Sequence, residues 1–138
     1  MFPRLCLVLA ALLGASGVGL GAYHAHGLEK FLDRQALEPA VKQKRLDNCG
    51  TAVKYQLYHA VALIGLAAFA QRQTSRALQA TAALWLLGVA GFSGGLYLMV
   101  FTGRIGHWSI VPAGGVALIA GWLALAAVKP TVAQASSL

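Results

Sequence analysis

The sequence predicts an all-α polytopic membrane protein, an up-and-down bundle of four transmembrane helices with a polar, partly helical connection between the first and the second. Three observations predict it. Of the 138 residues, 58% are hydrophobic and only 11% are charged, a balance that suits lipid better than water as the surrounding medium. Four apolar windows, at residues 5–26, 52–70, 79–102 and 110–128, each approach the roughly 20 residues that a hydrocarbon core of about 30 Å requires. Two of the three connections, "QRQTSRA" and "GRIGHWS", are short, and short connections make antiparallel neighbours. The chain, 1–138, therefore reads as a single membrane domain. Its net charge of +7 would suggest nucleic acid in a soluble protein. Here the basic residues border apolar windows, where they reach for lipid phosphate, so membrane lipid is the expected partner and nucleic acid is not.

The first window carries Gly17 and Gly21, four apart and so on one helix face, where their bareness lets a neighbouring helix come close. Residues 1–16, ending "GAS", have some features of a cleavable signal, but the apolar stretch continues to Ala25, which favours an uncleaved anchor. Cys6 lies near the start of this helix and Cys49 beyond its far end, roughly 30 Å apart at about 1.5 Å per residue. No disulfide joins them at that separation, and Cys6 reads as a small apolar filler.

The connection, residues 27–51, holds all four acidic residues and must lie outside the hydrocarbon. Within it Leu28, Phe31 and Leu32 recur at helical spacing and are expected to rest against headgroups as a short amphipathic turn. Pro39 after Glu38 suits the first turn of a new helix running towards the second window. That window brings Tyr55, Gln56 and His59, the third Gly91, Ser93, Gly95 and Tyr97, and the fourth the small residues Gly114, Gly115 and Gly121. Gly91 and Gly95 repeat the spacing of Gly17 and Gly21. A faint internal repeat goes further: Gly14, Gly17, Gly21 and Tyr23 match Gly88, Gly91, Gly95 and Tyr97 at a constant offset, and "VALI" occurs twice, as if two helical hairpins shared one orientation.

With four antiparallel helices, His24, His26, His59 and His107 are expected at one membrane face, with Tyr23, Tyr55, Tyr58 and Trp108 at a similar level. Histidine is the commonest metal ligand, and His26, His59 and His107 are the candidate ligand set. Yet His24 and His26 diverge by about 200° around a helix axis, and no HxxxH pair or Cys–His cluster is present. Two readings stand for this face: interfacial histidines that hydrogen-bond and fix helix register, or a binder of a metal, haem or a lipid- or quinone-like small molecule. The first is the expectation, with no cofactor, with His26 rather than His24 turned inward, and with His59 at the centre of a network of His26, Tyr55, Gln56, His59, Ser93 and Tyr97. No carboxylate falls within an apolar window, which argues against an ion-coupled transporter. Neither cysteine has a base partner, so an enzyme is not expected. Glycine-lined faces suit a homo-oligomer or a larger membrane complex.

Four segments in order, "GAYHAHGL", "TAVKYQLYHAVAL", "FSGGLYL" and "VPAGGVALIAGW", and the spacing between them, resemble the small membrane proteins grouped as domain of unknown function 423, which include bacterial inner-membrane proteins. The resemblance covers nearly the whole chain. It implies a four-helix membrane fold in the inner membrane, and no reaction. By it, His26, Tyr55, Gln56, His59, Ser93, Gly94, Gly95, Tyr97, Pro112, Gly114, Gly115, Gly121 and Trp122 stand at motif positions; Gly95 takes the place of a serine common in the family. Basic residues number four on the side of the termini and seven on the other, which by the usual count puts the long connection in the cytoplasm. The resemblance implies the opposite, and since the connection reads as an interfacial segment rather than a free loop, the termini are expected inside.

Overall fold

A computed structural model of the chain describes residues 1–104 and 109–129. The described residues form α1 (Phe2–His26), α2 (Leu28–Asp33), α3 (Pro39–Ala70), α4 (Arg76–Thr102) and α5 (Ile110–Ala126), with no strand among them. α1, α3 and α4 are long and apolar enough to cross a membrane; α5, at 17 residues, is a shorter apolar helix.

The helix that the sequence starts at Pro39 runs to Ala70 without a break, so most of the polar connection is an extension of a spanning helix. Proline at the first position costs this helix no hydrogen bond, because its missing N–H would have had no partner there. Ser75 begins α4 with its Oγ accepting the Leu78 N–H at 3.2 Å, the usual N-cap geometry. Gly103 ends it at φ +69°, a left-handed conformation that glycine adopts without Cβ strain.

The order of packing is α1–α3–α4–α5, each long helix against the next. α3 is the central element, with 44% of its apolar window buried against 17% for α1. Paired residues run in opposite directions at the α1/α3 and α4/α5 interfaces: Gly17 meets Leu57 while Gly21 meets Val53, and Gly88 meets Leu118 while Gly95 meets Val111. Two apolar clusters result. One, at the end of the termini, gathers Cys6, Ala10, Leu63, Leu66, Leu78 and Trp85. The other gathers Leu28, Leu32, Cys49 and Val100 at the end of the connection. Cys6 and Cys49 are both buried and free, one in each cluster.

α2 departs from the expectation that Leu28 and Leu32 lie against headgroups. Both are fully buried in protein, beside Cys49 and Val100, with Phe31 packed at the edge. The physical reason is a clamp. Lys42 on α3 pairs with Glu29 at 2.9 Å and with Asp33 at 2.5 Å, which rolls the apolar side of α2 onto the bundle. The hydrogen bonds that Lys42 donates, to Asp33 first and then to Glu29, hold its ammonium above its ordinary pKa.

Candidate functional site

Between the two apolar clusters lies a polar waist. Gln56, His59 and Ser93 are buried there, all facing inward because Gln56, His59 and Leu63 recur at helical spacing on α3 and Ser93, Leu96 and Val100 do so on α4. In a hydrocarbon setting an unbonded polar group costs several kcal/mol (roughly 2–7), so the partners of these side chains are the content of the site.

Gln56 ties three helices together. Its Nε2 donates to the Leu13 carbonyl at 2.8 Å and to Ser16 Oγ at 2.9 Å on α1, while its Oε1 accepts from Tyr97 Oη on α4 at 2.9 Å. Ser16 in turn donates to the Leu12 carbonyl at 2.7 Å. An amide suits this post, since one end only donates and the other only accepts.

His59 belongs to a second cluster. The Trp122 Nε1–H donates to His59 Nε2 at 3.2 Å, and His59 Nδ1 lies 2.8 Å from the Tyr55 carbonyl. An indole nitrogen can only donate and a carbonyl can only accept, so these two bonds require the proton on Nδ1 and leave Nε2 as the acceptor. The ring is boxed by Tyr55, stacked at 6.5 Å between centroids, and by the edges of Trp85 and Trp122 at 5.9 and 6.1 Å. The two indoles stand 4.7 Å apart, and Phe92 packs on Tyr55 at 4.7 Å.

Among the described residues the histidines do not share the single face of the sequence reading. His24 lies against Gly50 on α3, and from Gly50 to His59 is about 13 Å along the helix at about 1.5 Å per residue. His59 is thus deep in the bundle and His24 near its end. The phase of α1 also reverses the expectation for the pair: His24 is half-buried, with its Nδ1 shielded and without a partner among the described residues, whereas His26 is exposed. His107, with Trp108, lies outside the described residues. Among the described residues no three His, Cys, Asp or Glu side chains gather as a metal site.

Of the six network residues expected from sequence, Gln56 and Tyr97 bond each other, His59 engages the Tyr55 carbonyl, and Ser93 and His26 join neither group. Ser93 Oγ and Trp85 Nε1 are buried with no hydrogen-bond partner among the described residues. The expected packing glycines all sit at helix contacts. A methyl on Gly114 would run into the Phe92 backbone nitrogen, one on Gly121 into the Trp85 ring, and one on Gly91 would approach the Gly114 Cα at 3.1 Å; Gly115 faces the Phe92 ring. At Gly95 a Cβ would stand 2.7 Å from Val111, so this chain has filled with valine the space that a serine there would need.

Sequence reasoning missed Trp85, and a signal was present. Trp85, Gly88, Phe92 and Gly95 recur at intervals of three and four, a single stripe down α4. The Lys42 clamp and Arg45, which donates to Gln35 Oε1 at 2.8 Å and to the Val100 carbonyl at 3.4 Å, carried no such signal.

Comparison with known proteins places these features in a lineage. The profile of the family described as protein of unknown function, DUF423, matches residues 20–115. The chain is 36% identical over 121 residues to a protein of Haemophilus influenzae named UPF0382 membrane protein, covering 87% of this chain and 89% of that one. It is equally 36% identical to the UPF0382 inner membrane protein YgdD of Escherichia coli K12, over 88% of this chain and 86% of the relative. The UPF0382 membrane protein YwdK of Bacillus subtilis is also 36% identical, over 91% of this chain and 98% of the relative. No solved structure matches.

Proposed function

The chain belongs to the DUF423 family of proteins of unknown function, and from that premise we propose that it is a small non-enzymatic subunit of a bacterial inner membrane, packing with copies of itself or with a larger membrane complex. It crosses the bilayer four times, up and down. The 17 residues of α5 supply about 25 Å at about 1.5 Å per residue, the short end of what a hydrocarbon core accepts. Both termini face the cytoplasm. What supports this against the simple count of basic residues is that the connection is helix held to the bundle, with Lys42 paired to Glu29 and Asp33 and Arg45 engaged at the end of α4; the count applies best to free loops. A reporter fused to the C terminus that is active only in the cytoplasm supports the assignment, and activity of a periplasmic reporter at the same position overturns it.

The observation that carries the packing role is the state of His59. Both ring nitrogens are engaged within the chain, one by Trp122 on α5 and one by the Tyr55 carbonyl. A ligand at Nε2 has first to break the bond that joins α3 to α5. Gln56 is committed in the same way to α1 and α4. Expected partners of such a subunit meet its outer surfaces, because the Gly17/Gly21 and Gly91/Gly95 stripes are covered inside the chain.

One observation favours the rival reading of a binder: Ser93 Oγ and Trp85 Nε1 are buried donors without partners among the described residues, as a bound acceptor would require. Purification in mild detergent, with metal analysis, an absorption spectrum and mass spectrometry of extracted lipids and quinones, separates the two. Near-stoichiometric iron, copper, zinc or quinone, lost in His59→Ala, would overturn the packing role. Clean protein that elutes as an oligomer or with a partner supports it.

A further inference from the structure

At the connection end of the bundle, the extension of α3 and the last turn of α4 enclose an open cavity of about 340 Å³, lined by Lys44, Arg45 and Asn48 on one side and Val41, Met99 and Gly103 among the rest. No carboxylate lines it. Lys44 and Asn48 are four residues apart and so stand one above the other on the same face of α3.

Arg45 is held still. Its Nη1 is bonded to Gln35 and to the Val100 carbonyl, and the guanidinium lies where a side chain at residue 103 would begin. A guanidinium carries five N–H donors, and the others on Arg45 make no hydrogen bond to the described residues. Lys44 forms no ion pair among them either, whereas Lys42, two residues away, takes both Glu29 and Asp33. Glu29 and Asp33 are thus drawn to Lys42, and neither cation facing the cavity is paired with an acid among the described residues.

The depth selects the ligand. Gly103 directly follows an apolar helix of 27 residues, so the cavity lies at headgroup level, and Val41 and Met99 offer it an apolar wall. A pinned guanidinium, a free ammonium and a carboxamide converging at that depth suit a phosphodiester with a hydrocarbon body. We propose that this cavity binds the headgroup of an anionic phospholipid, with the phosphate between Lys44, Arg45 and Asn48. The site is separate from the His59 waist and does not depend on the packing role proposed above.

The test uses the full chain in mild detergent, with native mass spectrometry at matched additions of phosphatidylglycerol, phosphatidylcholine or inorganic phosphate. Phosphatidylglycerol is expected to be retained over phosphatidylcholine, and Lys44→Gln to lower that preference about fivefold, the effect of one basic residue near an anionic surface. Lys44→Arg should keep it. Lys44 is exposed and its side chain makes no hydrogen bond or ion pair to the described residues, so an unchanged helical circular dichroism spectrum is expected for both variants. Equal retention of the two lipids, or an undiminished preference in Lys44→Gln with Asn48→Ala, overturns the proposal. Competition by millimolar inorganic phosphate as effective as by phosphatidylglycerol also overturns it, by assigning the cavity to a soluble anion.

Discussion

The hairpin α1/α3 and the hairpin α4/α5 begin from the same device, a pair of glycines four residues apart, and hold themselves together differently. In the first, Gly17 and Gly21 receive the side chains of Leu57 and Val53, and the helices are bonded to each other by Gln56 through the Leu13 carbonyl and Ser16. In the second, backbone meets backbone at the centre, where Gly114 lies against Gly91 and Phe92, while Gly88, Gly95 and Gly121 receive the side chains of Leu118, Val111 and Trp85. Lipid offers no hydrophobic drive between helices, so association must come from close van der Waals contact or from hydrogen bonds. Each hairpin leans on one of the two. A small-residue stripe therefore says that something comes close, and the facing helix decides whether it is a side chain or a backbone.

The largest effect should come from breaking the backbone contact. Gly114→Val places a branched side chain into the Phe92 backbone, where nothing flexible can give, and is expected to cost about 3 kcal/mol or more. Separation of α5 from α4 would move Trp122 away from Trp85, visible as a shift in tryptophan emission together with a lower unfolding midpoint in a denaturing detergent titration. Retention of the wild-type emission and midpoint would remove the distinction between the hairpins.

Next is Gln56→Leu, which leaves Tyr97 Oη, the Leu13 carbonyl and Ser16 Oγ without their shared partner. Interhelical hydrogen bonds in membranes are worth about 0.6 kcal/mol on average and up to about 1.7, and the loss here should lie at the upper end because several groups are released at once. Chemical denaturation of the single variant and of Gln56→Leu with Tyr97→Phe measures it. The double variant should recover part of the loss, as removing both partners leaves fewer unsatisfied groups than removing one.

Gly17→Ala sharpens the comparison from the other side. The added methyl meets the tip of Leu57, a flexible side chain, so the cost is expected below about 1 kcal/mol, partly offset by the better helix propensity of alanine. The same chemical denaturation applied to Gly17→Ala and to Gly121→Ala, which faces the rigid Trp85 ring, should show the greater loss in the second.

The smallest effect belongs to the clamp of α2. The Lys42 pKa is raised in the folded chain, so its contribution is fully present below the ordinary lysine pKa and is lost as pH rises through the elevated folded value. Protease nicking between α2 and α3 should increase on that alkaline side and not between neutral pH and about 9, well below the usual lysine pKa of about 10.4. Lys42→Gln should show the alkaline cleavage pattern at neutral pH.

Much of the architecture was legible because it is local. Apolar runs of spanning length, Pro39 after Glu38, and glycines at intervals of four depend on a few neighbouring residues, and the helix starting at Pro39 and the contacts at Gly17, Gly21, Gly91 and Gly95 are where those patterns put them. The site was legible only in part. That Gln56, His59 and Ser93 face inward follows from the apolar spacing around them, and Tyr97 was within reach of Gln56. The apolar pattern alone puts His59 too near the waterline, because the second window begins only seven residues before it, at residue 52, whereas α3 enters the bundle from Pro39 and carries its register with it.

The amino-acid sequence by itself determined which segments are helical, which are apolar enough for lipid, and which faces are bare enough for a neighbour, since each of these is a property of a short stretch of chain. Only the tertiary structure decided that His24 rather than His26 turns inward, that α2 buries its leucines in protein, and that Gln56 and His59 serve separate clusters. Those outcomes depend on the rotation and height of one helix against another. Many residues set these jointly through packing and hydrogen bonding, and no local stretch encodes them.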